Sequence, residues 1–137
     1  MIYAVIDTNV FVSALLSHHS DAATVQVVEA ISLKGIRPLY NEEIFAEYEE
    51  VLGRTKFGFP ASSISTILKK VKNTGIATIA IPTYEHFPDP KDVVFYEVAM
   101  SKEDAYLVTG NKKHFPNKPI VVTPAEMVEI LKEQGVL

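Results

Sequence analysis

Apolar residues in this chain fall into short unbroken runs, separated by longer stretches in which they recur at helical spacing. Residues 2–6 are too few for a helix and apolar throughout, which predicts a strand buried on both faces. The runs at 36–40, apolar at its ends, and at 76–81, 106–109 and 120–122 predict four more strands. Between and after them the spacing predicts helices over 10–16, 22–33, 42–52, 61–72, 92–100 and 124–132.

The punctuation agrees with this division. Ser20 or Asp21 can cap the second helix, and Asn41 can cap the third, which Gly53 stops. Gly75 ends the fourth. Thr123-Pro124-Ala125-Glu126 carries threonine at the N-cap, proline at N1 and glutamate at N3, a capping box that opens the last helix. Pro38 is the one discordant residue, because proline cannot donate to a strand ladder. Strands separated by helices throughout predict an α/β fold with a central, mostly parallel sheet of about five strands. A chain of 137 residues has the length of one domain, spanning 1–137.

Composition narrows the chemistry. There is no cysteine, which excludes disulfides, thiolate metal sites and cysteine nucleophiles. No basic segment followed by a long apolar run opens the chain, and no run approaches the roughly 20 residues of a spanning helix. A soluble, cytoplasmic protein with no membrane association is expected. The net charge of −4 argues against coating nucleic acid by charge alone. It is compatible with a nuclease whose carboxylates hold cations.

The acids are placed suggestively. Asp7 directly follows the first strand, and an unpaired buried charge is costly. In a parallel sheet all strand C-termini share one edge, where ligands bind. Asp92, at the start of its helix, falls on that edge, as does Asn111 after the fourth strand. Asp92 can equally be a simple helix cap. Of the five glutamates Glu42, Glu43, Glu47, Glu49 and Glu50, Glu47 lies nearest the apolar stripe of Ile44, Tyr48 and Val51. Converging carboxylates raise one another's pKa, and a divalent cation removes that penalty. Oxygen ligands favour Mg2+ or Mn2+.

Four segments, in order, resemble the PIN-domain family, in particular the prokaryotic VapC-like toxins of toxin-antitoxin pairs. They are Val5-Ile6-Asp7-Thr8-Asn9-Val10; Glu47-Tyr48-Glu49-Glu50-Val51-Leu52 with Arg54 and Lys56-Phe57; Asp89-Pro90-Lys91-Asp92-Val93-Val94-Phe95 ending at Ala99; and Tyr106-Leu107-Val108-Thr109-Gly110-Asn111. The resemblance implies a three-layer α/β/α sandwich and Mg2+- or Mn2+-dependent cleavage of single-stranded RNA. It implies Asp7, Glu47 and Asp92 as metal ligands, with Asn111 as a fourth catalytic position. Many members carry an acid there, and an amide is less able to hold a second metal. Asp104 is a possible substitute. The resemblance also implies a homodimer or higher homo-oligomer, restrained by a small antitoxin protein.

Other residues stay open at this level. Thr8 and Asn9 can bond Asp7 or merely cap the first helix, and Thr109 has the same ambiguity. Arg54, Lys56, Lys112, Lys113 and His114, with Phe57 and Phe115, form two basic, aromatic loops suited to RNA or simply to a wet surface. No spacing among His18, His19 and His86 suggests a zinc site. The alternative to an endoribonuclease is a catalytically weakened PIN-like module that binds RNA or protein. A third reading, an aspartyl-phosphate domain with Asp7 as acceptor, lacks a second acid at position 9.

Overall fold

In the computed structural model, which describes residues Met1–Leu137, the first strand of the chain becomes the centre of the sheet. β1 (Ile2–Ile6) lies between β2 (Ile36–Tyr40) and β4 (Tyr106–Val108), with β3 (Ile76–Ala77) and β5 (Val121–Val122) at the edges. Every pairing is parallel, in the order β3-β2-β1-β4-β5. A strand enclosed on both sides and both faces has no wet surface, so Ala4, Val5 and Ile6 are fully buried.

The helices follow from the crossovers. α1 (Thr8–Leu16) and α2 (Ala23–Ser32) join β1 to β2, and α3 (Glu42–Leu52) and α4 (Ala61–Thr74) join β2 to β3. The chain then crosses to the far side of β1 through α5 (Val93–Met100), and α6 (Pro124–Glu133) follows β5. Because the direction of travel reverses, right-handed crossovers put α5 on the face opposite the earlier helices. α5 packs on β1, β2 and β4, while α2 packs on β2 and against α6. The result is a three-layer α/β/α sandwich. The reversal lies between β1 and β4, the position where open α/β sheets bind ligands.

One apolar cluster runs from Ile2 to Leu131 through the sheet and both helical layers. Its largest member near the strand ends is Tyr48 of α3, fully buried and edge-on to Phe11 of α1 at 5.0 Å between ring centres. Its hydroxyl donates to the Ile6 carbonyl, so a buried polar group of each partner is satisfied.

Several local expectations change in the folded chain. Pro38 is accommodated inside β2 because its missing N–H faces the β3 side, where pairing starts only at Leu39↔Ile76. The capping box of α6 forms with both its hydrogen bonds, and the Asn41 side chain accepts from Ile44 N at 2.8 Å. The expected Ser20 or Asp21 cap does not form; Ala22 occupies the N-cap of α2 and makes no side-chain bond. The third strand is far shorter than its apolar run. β2 ends at Tyr40, and after Thr78 N donates to Tyr40 O at 2.7 Å no ladder partner remains. Ile79 is 86% exposed in consequence. Gly75 is required by close packing, since a Cβ there would run into the carbonyl oxygens of Val71 and Pro38.

Candidate active site

Asp7 leaves β1 at the switch point. Its backbone N–H extends the β1–β4 pairing by donating to Val108 O at 2.9 Å, while its side chain stands at the N-cap of α1 without capping it. The carboxylate is thus free for other partners, and only 7% of the residue is exposed. Thr109, fully buried at the end of β4, donates its hydroxyl to Asp7 Oδ2 at 2.7 Å. Asn9 Nδ2 donates to the same oxygen at 3.2 Å, and Asn9 Oδ1 accepts from Gly110 N at 3.1 Å. The Thr109 hydroxyl oxygen also accepts from Asn111 N at 3.0 Å. Burial pushes the Asp7 carboxyl above the usual carboxylate range. The hydrogen bonds from Thr109 and the Thr8 backbone and the charge of His114 pull it partly back, while Glu47 adds to the rise.

Asp92 reaches the same edge from the opposite layer. The 3-10 turn Pro90–Asp92 is closed by Asp89 Oδ1, which accepts from Lys91 N at 3.0 Å. Asp92 then sits at the start of α5, again with no side-chain capping bond, so it is not a simple helix cap. Its carboxyl is pushed up to about 6, first by burial, then by the charges of Asp7 and Asp89, with His114 opposing. Asp92 Oδ2 lies 3.3 Å from His114 Nδ1. The pair is poorly aligned for a hydrogen bond, and this buried oxygen has no well-formed donor in the protein.

The remaining expected residues are placed less tightly. Glu47 is half-buried on α3 beside Tyr48, and its charge reaches both Asp7 and Arg54. Arg54 itself is paired to Glu50 at 2.8 Å. Asn111 is exposed and contributes its backbone N–H rather than its side chain to the hydrogen-bond network. Asp104 is at the opposite end of β4, beside the start of β1, and does not substitute for it. Asp7 feels the charge of Glu47, and Asp92 that of Asp7. No group of three histidine, aspartate or glutamate side chains is drawn together tightly enough to hold one ion. Buried Asp7 instead turns to Thr109 and Asn9, and half-buried Asp92 to His114, as mutually repelling carboxylates will.

The donor set nevertheless suits a divalent cation. Mg2+ is usually bound through one or two carboxylates, several waters and substrate phosphate, so it does not need a closed protein cage. A buried carboxylate oxygen without a well-formed donor, next to a second acid that raises its pKa, is stabilised by a cation.

Two contributors are not legible in the sequence. The pairing of His114 with Asp92 joins two loops that only the sheet edge brings together. The bond from Tyr48 to the Ile6 carbonyl ties α3 to the end of β1, and its one sequence signal is a tyrosine on an apolar stripe. A model of the PIN domain family matches residues 3–113. Neither a curated protein nor a solved structure matches the chain.

Proposed function

We propose, from the premise that this chain belongs to the PIN domain family, that it is a metal-dependent endoribonuclease acting on single-stranded RNA. PIN domains are nuclease-type folds that generally use divalent metal ions. In this chain Asp7 and Asp92, with Glu47 as the third acid, would hold Mg2+ or Mn2+, and Asn111 would complete the pocket. The observation that carries the reading is the pair Asp7 and Asp92. Both are acids at helix starts, neither caps its helix, and each reaches the C-terminal sheet edge from a different layer.

The chemistry a cation would supply when bound there is polarisation of a phosphoryl oxygen and a lowered pKa for water. The chain's own residues do the positioning. Thr109 and Asn9 fix the Asp7 carboxylate from two directions, and Tyr48 holds the backbone from which it projects. Lys112 and Lys113, on the turn beside the site, supply positive charge for RNA phosphates. The finer assignment rests on the four ordered segments that resemble VapC-like toxins. It makes this chain the toxin of a toxin-antitoxin pair, a cytoplasmic homodimer or higher homo-oligomer restrained by a small antitoxin.

Asp7→Asn tests the core of the proposal. Losing a ligand should cost at least the roughly 10–100-fold typical of outer-shell losses at metal sites. Mn2+-dependent cleavage of single-stranded RNA should therefore fall by about a hundredfold or more, with near-native circular dichroism. Wild-type cleavage by the variant would sink the assignment of Asp7. RNA binding by the wild-type protein without cleavage, and without Mn2+ binding by calorimetry, would mark a non-catalytic binding module.

A further inference from the structure

We propose that His114 supplies an imidazole nitrogen to the cation held by Asp92, and so tilts the site from Mg2+ toward Mn2+. The proposal rests on the reading of Asp92 as a metal ligand and adds a residue to it.

The geometry comes first. His114 Nδ1 and Asp92 Oδ2 are 3.3 Å apart. Ligand bonds of about 2.1 Å place neighbouring ligands of one octahedral cation about 3.0 Å apart. The observed spacing is slightly wider, a gap that a small side-chain rotation closes. The pair is poorly aligned for a hydrogen bond, and Asp92 Oδ2 finds no other donor. Two ligand atoms at this separation, one of them buried and without a well-aligned donor, are better served by a shared cation than by each other.

The turn that carries the imidazole is also held in place. His114 closes the 3-10 turn Lys112–His114, where its N–H donates to Asn111 O at 3.0 Å and Phe115 N donates to Lys112 O at 3.1 Å. Phe115 is buried edge-on to Phe87 at 6.2 Å, which anchors one end of the turn. Lys112 Nζ pairs with Glu126 Oε1 at 3.2 Å, which ties the other. The His114 side chain is 44% exposed, so an ion can reach it from solvent. Shortly before it, Asn111 stands where a fourth acid is absent. An imidazole nitrogen in place of a carboxylate changes the preference of the site: Mn2+ and Mg2+ both favour oxygen, but Mn2+, at the foot of the first-row transition series, accepts a nitrogen ligand more readily than hard Mg2+ does.

The test uses the full chain with Mn2+ as the probe. Electron spin-echo envelope modulation of the wild-type protein loaded with one equivalent of Mn2+ should show nitrogen coupling from bound imidazole. The coupling should vanish in His114→Ala and persist in His18→Ala, which removes an exposed histidine in the loop after α1. In competition titrations, His114→Ala and His114→Gln should lose about tenfold or more of the Mn2+-over-Mg2+ preference. Mn2+ bound without nitrogen coupling, or coupling that survives His114→Ala, overturns the proposal and leaves the carboxylate reading standing. No Mn2+ binding by the wild-type protein, with or without RNA, sinks both.

Discussion

The Thr109 hydroxyl donates to Asp7 Oδ2 at 2.7 Å, across the boundary between β4 and β1. Both residues are buried, so the bond stabilises a carboxylate that its surroundings would otherwise neutralise. Thr109→Val keeps the shape and removes the donor. Hydrogen bonds to charged groups contribute about 1.5–3 kcal/mol, so denaturant unfolding near neutral pH should show a loss of that order. The loss should shrink as pH falls and Asp7 takes up its proton. Thr109→Ser should recover most of it. A Thr109→Val protein as stable as wild type at neutral pH would mean the bond carries nothing.

Asp92 predicts the pH dependence of the metal-free protein. Its carboxyl is raised from 3.8 to about 6, so the folded state holds that proton more tightly than the unfolded chain does. The associated stability is fully present below the unfolded value and is lost as pH rises through the folded one. In the presence of chelator, the urea midpoint should therefore decline between about pH 4 and about pH 6 relative to Asp92→Asn. Asp7, also raised, contributes with the same sign. Added Mn2+ should oppose the decline in wild type. A flat difference between wild type and Asp92→Asn across this window would refute the assigned shift.

Tyr48 connects the third helix to the strand that carries Asp7. Tyr48→Phe keeps the contacts with Phe11 and Phe95 but leaves the Ile6 carbonyl without its donor. A buried unsatisfied acceptor costs about 1–3 kcal/mol, and the unfolding free energy should fall by that amount. Cleavage by the folded fraction should fall as well, since Ile6 immediately precedes Asp7. Thermodynamic equivalence of Tyr48→Phe and wild type would show that the ring alone matters.

The cap of α6 bonds none of the three acids, so a change there measures stability apart from them. Thr123 Oγ1 accepts from Glu126 N at 3.1 Å, and Glu126 Oε1 accepts from Thr123 N at 2.8 Å. Thr123→Ala should cost about 1 kcal/mol, read as a fall in Tm of about 4 °C, with cleavage per folded molecule unchanged. A comparable loss of cleavage in folded Thr123→Ala would mean that site variants are reporting on stability.

Local chemistry was enough for the element order. The capping box at Thr123, the Asn41 cap and the all-apolar run of β1 act within a few residues, and each forms in the folded chain as the sequence predicts. Asp7 and Asp92 were visible because strand ends and helix starts share an edge in any parallel α/β sheet. The run at 76–81 misled for a matching reason. An apolar run can form a strand only as far as its neighbour extends, and β2 stops at Tyr40. Tertiary structure alone decided the partners. Thr109 meets Asp7, and His114 meets Asp92, because β1, β4, α5 and the turn after Asn111 converge from distant parts of the chain. It also placed Asp104 at the far end of β4, away from the acids, and left the Asn111 side chain exposed at the sheet edge. Periodicity and caps record what a residue does with its near neighbours. The hydrogen bonds and charges that set a buried carboxylate's protonation come from residues the sequence keeps far apart.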